Sequence, residues 1–169
     1  TNECNKQFSK YVEDNYENLV SDNKSPILSP SVFKNHAQPS LENGKKVCFI
    51  VIDCMRCDQF LSIYPYLESL FQVEMSYHLS LLPSATSFSR NAIFSGLFPD
   101  EMIKKYPKQK DSFLHNENGL NKYEEEYLND QIKRLGNNDK KVHYHKIWAL
   151  EEGKRFSKKI NNYLEKDVI

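Results

Sequence analysis

The chain has 169 residues, enough for one domain with a buried core. Its hydrophobic fraction is 39%, with 10 Tyr and 10 Phe, which excludes a compositionally disordered chain. Lys+Arg and Asp+Glu both number 23, so the zero net charge argues against a broad phosphate-backbone binding surface and leaves room only for a local basic patch.

No apolar run approaches the roughly 18–20 residues that span a bilayer. The opening TNECNKQFSKYVEDNYENL is too polar for a signal peptide, so the expectation is a soluble, cytoplasmic chain. Residues 3–20 read as an amphipathic helix, with Phe8, Tyr11, Val12, Tyr16 and Leu19 on one face. Residues 21–46 hold three prolines and many turn formers and read as a linker or loop. VCFIVID (47–53) is a continuous apolar run, as in a strand buried on both faces, and Cys48 within it reads as a small buried hydrophobe.

DQFLSIYPYLESLF (58–71) reads as a helix kinked at Pro65. VEMSYHLSLL (73–82) alternates Val73, Met75, Tyr77, Leu79 and Leu81 with Glu74, Ser76, His78 and Ser80, which is strand periodicity. Strand, helix and strand in succession form a βαβ unit, so the predicted class is α/β with a mostly parallel sheet. A short helix is predicted over 87–94 with a stop at Gly96, another over 121–136, a strand over 141–150 and a helix over 151–166. The final Asp-Val-Ile reads as the start of one more strand. There are no internal repeats.

Three patterns could carry chemistry. Cys54-x-x-Cys57 follows a strand and opens a helix, as a redox pair does, but its Met-Arg interior is unlike thioredoxin. A zinc site would need a second pair, which is absent from the four cysteines 4, 48, 54 and 57, so free thiols are the default. Asp53 stands at the carboxyl end of a predicted strand, where open α/β sheets place ligands, and it could equally cap the next helix. In LLPSATSFSRNAIFSGLFP (81–99), Thr86 is a predicted N-cap beside helix amides that would attract a phosphate. Its hydroxyl could serve as a nucleophile if a divalent metal held by Asp53 lowered its pKa. Arg90 and Asn91 on the next turn could reach phosphate oxygens. The plainer reading makes Thr86 an ordinary cap and Asn91 a surface residue. His143 and His145 share a predicted strand face and could bind a metal, although a solvated face is the commoner outcome; His36, His78 and His115 have no partner pattern.

Taken together, VCFIVIDCMRCDQ, LLPSATSFSRNAIFSGLFP and YLNDQIKRLG closely resemble the PglZ domain of the alkaline phosphatase superfamily. The chain looks most like the output domain of PorX-type response regulators of the type 9 secretion system, in which a receiver domain and helical linker precede the PglZ domain. YVEDNYENLVSDNKSPILSPSVF resembles the segment joining that linker to the catalytic domain. The resemblance implies a three-layer α/β/α fold and metal-dependent hydrolysis of a phosphoester or nucleotide-type substrate. It implies two divalent metals, usually zinc, with Asp53 as a first-strand metal ligand and Thr86 as the metal-bridging nucleophile. Asn91 and Arg90 are candidates for the phosphoryl oxygens. Homodimerisation and signalling partners of a secretion-regulating pathway are further implications.

Two residues depart from the family pattern: Ser84 stands where Thr is usual, and Cys57 where an aromatic is usual. The family's later Asp-x-x-x-His and Asp-His-Gly ligand motifs do not occur in these 169 residues. The expectation is therefore a helical segment (1–20), a linker (21–46) and a truncated, N-terminal portion of a PglZ domain (47–169), impaired or inactive by itself and not necessarily binding metal. The rival expectation is a non-enzymatic signalling or interaction module; a thiol redox protein is the third.

Overall fold

The computed structural model describes residues 2–21, 26–111 and 121–169. In chain order the helices are α1 (Asn2–Ser21), α2 (Val32–His36), α3 (Gln38–Glu42), α4 (Cys57–Glu68), α5 (Thr86–Ser95), α6 (Pro99–Lys105), α7 (Glu124–Arg134) and α8 (Leu150–Lys159). Single 3-10 turns occupy Ser29–Ser31, Pro107–Gln109 and Ile160–Tyr163.

The core forms where the spacing of apolar residues lets short helices share one side. Phe33, Ala37 and Leu41 recur every four residues across α2 and α3 and are buried together with Phe94 of α5, Met102 of α6, and Tyr127, Leu128 and Ile132 of α7. Phe33 and Phe49 meet edge to face at 5.1 Å, and Phe49 meets Phe94 in the same way at 6.2 Å. Residues 29–42, expected to be linker, are thus helical and supply part of the core. The prolines begin turns rather than prevent them: Pro30 and Pro39 each sit in the first turn of their helix, where a missing N–H costs nothing.

The expected three-layer α/β/α fold with a parallel sheet is not what the chain adopts. The described residues are mainly helical, and extended segments meet only at isolated parallel bridges: Leu28 with Leu79, Val47 with Val168, and Val142 with Val168. The reason is visible in 47–52. Val47, Phe49 and Val51 pack on the helical core, while Cys48, Ile50 and Ile52 point away; Ile50 is 73% and Ile52 58% exposed. A continuous apolar run says that both faces can be buried, and here only one is. Cys48 is accordingly exposed rather than buried. The predicted strand 73–82 pairs at Leu79 with Leu28 instead of lying beside 47–53, and α4, which was to pack across a βαβ unit, has no buried residue. The βαβ reading therefore fails at its pairing and at its crossover. The predicted strand 141–150 is reduced to the Val142 bridge before α8 begins at Leu150.

Several boundaries agree with expectation. α1 spans the predicted helix, although only Leu19 of its apolar face is buried. α4 continues through Pro65 to Glu68. α5 stops at Gly96, whose φ of 63° is left-handed and whose N–H donates to Ala92 O at 2.8 Å, as a glycine C-cap does. The terminal Asp-Val-Ile lies between two extended segments. Val47 N–H donates to Asp167 O (2.8 Å), Phe49 N–H to Ile169 O (2.8 Å) and His143 N–H to Val168 O (2.9 Å), with Val168 fully buried.

Candidate active site

Thr86 is positioned from both sides. Ahead of it, residues 79–82 are tied down one by one: Leu79 N–H donates to Ile27 O (2.8 Å), Leu81 N–H to Ser29 Oγ (3.2 Å) and Leu82 N–H to Tyr16 Oη (2.8 Å). The Ser80 and Ser89 hydroxyls also share a hydrogen bond of 2.8 Å. Behind it, α5 packs against α7. Gln131 Nε2 donates to both Ile93 O and Phe94 O at 2.9 Å, and Arg134 Nη2 donates to Ser95 O, so carbonyls that the helix end would leave unpaired are satisfied.

The N-cap of α5 is Ala85, with no side-chain cap, and Thr86 is the first helical residue. Its hydroxyl is therefore not used to close the helix, and it has no hydrogen-bond partner among the described residues. It is half-buried.

Asp53 follows the extended 47–52 segment at a tight turn in which Cys54 takes a φ of 58°. One carboxylate oxygen, Oδ2, accepts from Arg90 Nη1 at 3.2 Å; the other, Oδ1, has only the Cys54 thiol nearby, at 3.7 Å. Arg90 lies four residues beyond Thr86, so both project from one face of α5. The structure thus brings Asp53 to the Thr86 face one helical turn away, through Arg90.

Arg90 is itself clamped. Its Nε and Nη2 both donate to the Glu124 carboxylate, the latter at 2.8 Å. Glu124 is completely buried, and it also accepts from Tyr144 Oη at 2.6 Å and pairs with Lys146 Nζ at 3.2 Å. A carboxylate with no solvent needs such company. The Glu124 contact holds the Arg90 pKa above its ordinary value; burial and then the bond to Glu124 raise that of the Tyr144 phenol. Sequence reading missed Glu124, Tyr144 and Lys146. Glu124 opens a Glu-Glu-Glu run that looks like a solvated helix start, and only the packing of α7 singles out its first member.

Asn91 lies elsewhere. It is 3% exposed, its Nδ2 donates to Ser87 O at 2.8 Å, and its Oδ1 is buried with no partner. It does not share the Thr86–Arg90 face. His143 and His145 stack in a ring column with Tyr163 and Phe156, His143 lying 3.7 Å from Tyr163 and His145 4.6 Å from Phe156. His115 lies outside the described residues. Cys54 and Cys57 are free and exposed.

The open Oδ1 of Asp53 and the unused Thr86 hydroxyl fit a divalent cation in kind, both being oxygen donors. They do not complete its shell: among the described residues no three His, Cys, Asp or Glu side chains converge. Among the same residues, no helix is long and apolar enough to cross a membrane.

A tethered hydroxyl at a helix start with a carboxylate beside it belongs, by its chemistry, to the phosphoryl-transfer type of site. Comparison with protein families assigns it: residues 32–161 match the BREX system PglZ alkaline phosphatase-like domain. The chain belongs to the PglZ family of alkaline phosphatase-like domains. Comparison with curated proteins gave no match.

Proposed function

We propose that the chain contributes the nucleophile half of a metal-dependent phosphodiesterase or phosphatase site. The observation that carries this reading is the Thr86 hydroxyl, held at the first position of α5 and spared from capping, with Asp53 tied to the same helix face. Thr86 Oγ attacks phosphorus in line, an O–P bond forms, the leaving alkoxide departs and takes up a proton, and water later releases the phosphoryl group. Asp53 and Thr86 hold the cation together with donors from outside the described residues; when bound, it supplies a Lewis acid that lowers the hydroxyl pKa. Free amides at the α5 start lie on the phosphate side. Asn91 is given no part in binding, because its side chain is buried away from that face. The likeness of residues 11–33 to a linker-to-catalytic-domain segment supports placement as a response-regulator output domain.

The test is hydrolysis of a chromogenic phosphodiester by the folded chain supplied with zinc. Thr86→Ala is expected to lower the rate at least about a thousandfold, the scale on which removal of a nucleophile leaves residual catalysis, while zinc binding persists through Asp53. Turnover unaffected by Thr86→Ala rejects Thr86 as the nucleophile. The complete absence of turnover favours a second reading, an interaction module, which has its own observation. Ile50, Ile52, Leu61, Tyr66, Leu70 and Phe71 are all exposed, far more apolar surface than a soluble domain of this size ordinarily leaves bare. Self-association is one form of that reading, and sedimentation of the chain at rising concentration measures it.

A further inference from the structure

The arrangement around Asp53 contains a problem that its charges reveal. A guanidinium beside a carboxylate prefers two parallel N–H···O bonds, one from each of two nitrogens to each of two oxygens. Such a fork would cover both Asp53 oxygens and leave nothing for a cation. Arg90 does not do this: only Nη1 touches Asp53, at Oδ2, and Oδ1 has no nitrogen donor. The fork formed by Nε and Nη2 is turned the other way, onto Glu124.

Glu124 can hold it because Glu124 is fixed. Its side chain is fully buried at the start of α7, and Tyr144 Oη (2.6 Å) and Lys146 Nζ (3.2 Å) occupy further positions around the same carboxylate. Lys146 is located in turn by donating to Asn121 O at 2.9 Å and by lying 4.5 Å from the Trp148 ring. The four charges of Asp53, Arg90, Glu124 and Lys146 cancel, so Arg90 does not present an uncompensated positive charge to a cation arriving at Asp53. The burial of Glu124 is costly as a stability device, but it is well suited to aiming Arg90.

We propose that Glu124 is a positioning residue for the Asp53–Thr86 site: by occupying the fork of Arg90 it limits Arg90 to one contact with Asp53 and keeps Oδ1 open to a divalent cation. The proposal rests on the reading of Asp53 as a metal ligand. It assigns Arg90 the task of orienting Asp53 rather than of gripping the phosphoryl group, because all three guanidinium nitrogens are already engaged.

Mn2+ is the suitable probe, since its preference for oxygen donors avoids the four exposed thiols. Binding to the full chain is followed by the electron paramagnetic resonance signal of the free ion, with circular dichroism on every variant to confirm folding. Glu124→Gln frees the fork, so Mn2+ affinity is expected to fall by about tenfold or more, the range seen when residues that orient ligands are removed. Adding Arg90→Gln to that variant removes the blocking group and is expected to restore most of the loss. A merely structural Glu124 would give no such rescue. If Glu124→Gln fails to fold, Glu124→Asp keeps the buried charge but is too short to hold both nitrogens, and it should weaken binding in the same direction. A crystal structure of either variant should show Arg90 bidentate on Asp53.

Unchanged affinity in a folded Glu124 variant overturns the proposal, as does a double variant no better than the single one. Mn2+ binding that is absent, or that Asp53→Asn leaves intact, instead rejects Asp53 as a ligand and removes the foundation of both readings. The two failures are therefore told apart by the Asp53 variant.

Discussion

His143 is held in its neutral form by its surroundings. It lies against Tyr163 at 3.7 Å, its Nε2 is buried without a partner, and burial first, then the neighbouring His145, push its pKa below the ordinary value of 6.5. Lys166 acts in the same direction and Glu125 opposes it. The sign follows from which state protonates first. Above about pH 6.5 the ring is neutral folded or unfolded. As pH falls through that value the unfolded chain takes up the proton before the folded one, so stability is lost as pH descends through the lower folded pKa. Thermal midpoints measured from pH 7 to 5 should therefore drop more steeply for the parent chain than for His143→Phe, which keeps the ring stack without the proton. Equal slopes would show that His143 does not carry the effect.

At the scale of elements, the contact between α5 and α7 decides where Thr86 stands. Gln131 is buried in α7 and donates to two carbonyls near the end of α5, and Gly96 closes that end with a left-handed φ. A Cβ placed on Gly96 would lie 2.7 Å from Gln131 Oε1 and 2.8 Å from Gln131 Cδ. Gly96→Ala thus adds a left-handed alanine, about 1 kcal/mol, to a collision with a buried side chain, about 1–3 kcal/mol, and should destabilise by roughly 2–4 kcal/mol in urea. Gln131→Leu should cost about 1–3 kcal/mol, because it leaves buried carbonyls without donors. A Gly96→Ala chain as stable as the parent would mean that the two helices separate easily, and that Thr86 is less firmly placed than their contact suggests.

Across the whole molecule, two features share the load. Phe33 is fully buried between helices and the 47–51 segment, so Phe33→Ala should cost about 3–5 kcal/mol, a large part of what a domain of this size possesses. The Asp167–Ile169 segment joins 47–49 to 141–143 by backbone hydrogen bonds on both sides around the buried Val168. Deleting those three residues removes several bonds of about 1 kcal/mol each and the burial of one valine, on the order of 5 kcal/mol in total. Denaturant midpoints for the deleted and parent chains check this; equal midpoints would show that the bridges are incidental.

Much of the local structure was legible in the amino-acid order. The Gly96 stop, the helix through 58–68, the α7 helix and the Thr86 turn all follow from short-range steric and hydrogen-bonding rules that act within a few residues. The quoted motifs also sufficed for the family, because they contain the residues that mark it. Pairing between distant segments was not legible. VCFIVID has the composition of a buried strand, but whether its second face is covered depends on what lies beside it, and Ile50 and Ile52 remain bare. The 29–42 stretch looked like a loop because its prolines and serines were counted, whereas the four-residue spacing of Phe33, Ala37 and Leu41 was the better signal. Glu124 could not have been found at all. One glutamate among three becomes the partner of Arg90 only when α7 packs on α5, since a buried charge is defined by its neighbours in space. Sequence by itself determined which residues could act, Asp53 and Thr86; tertiary structure decided how they are held, because burial and the direction of a guanidinium fork arise only when distant segments meet.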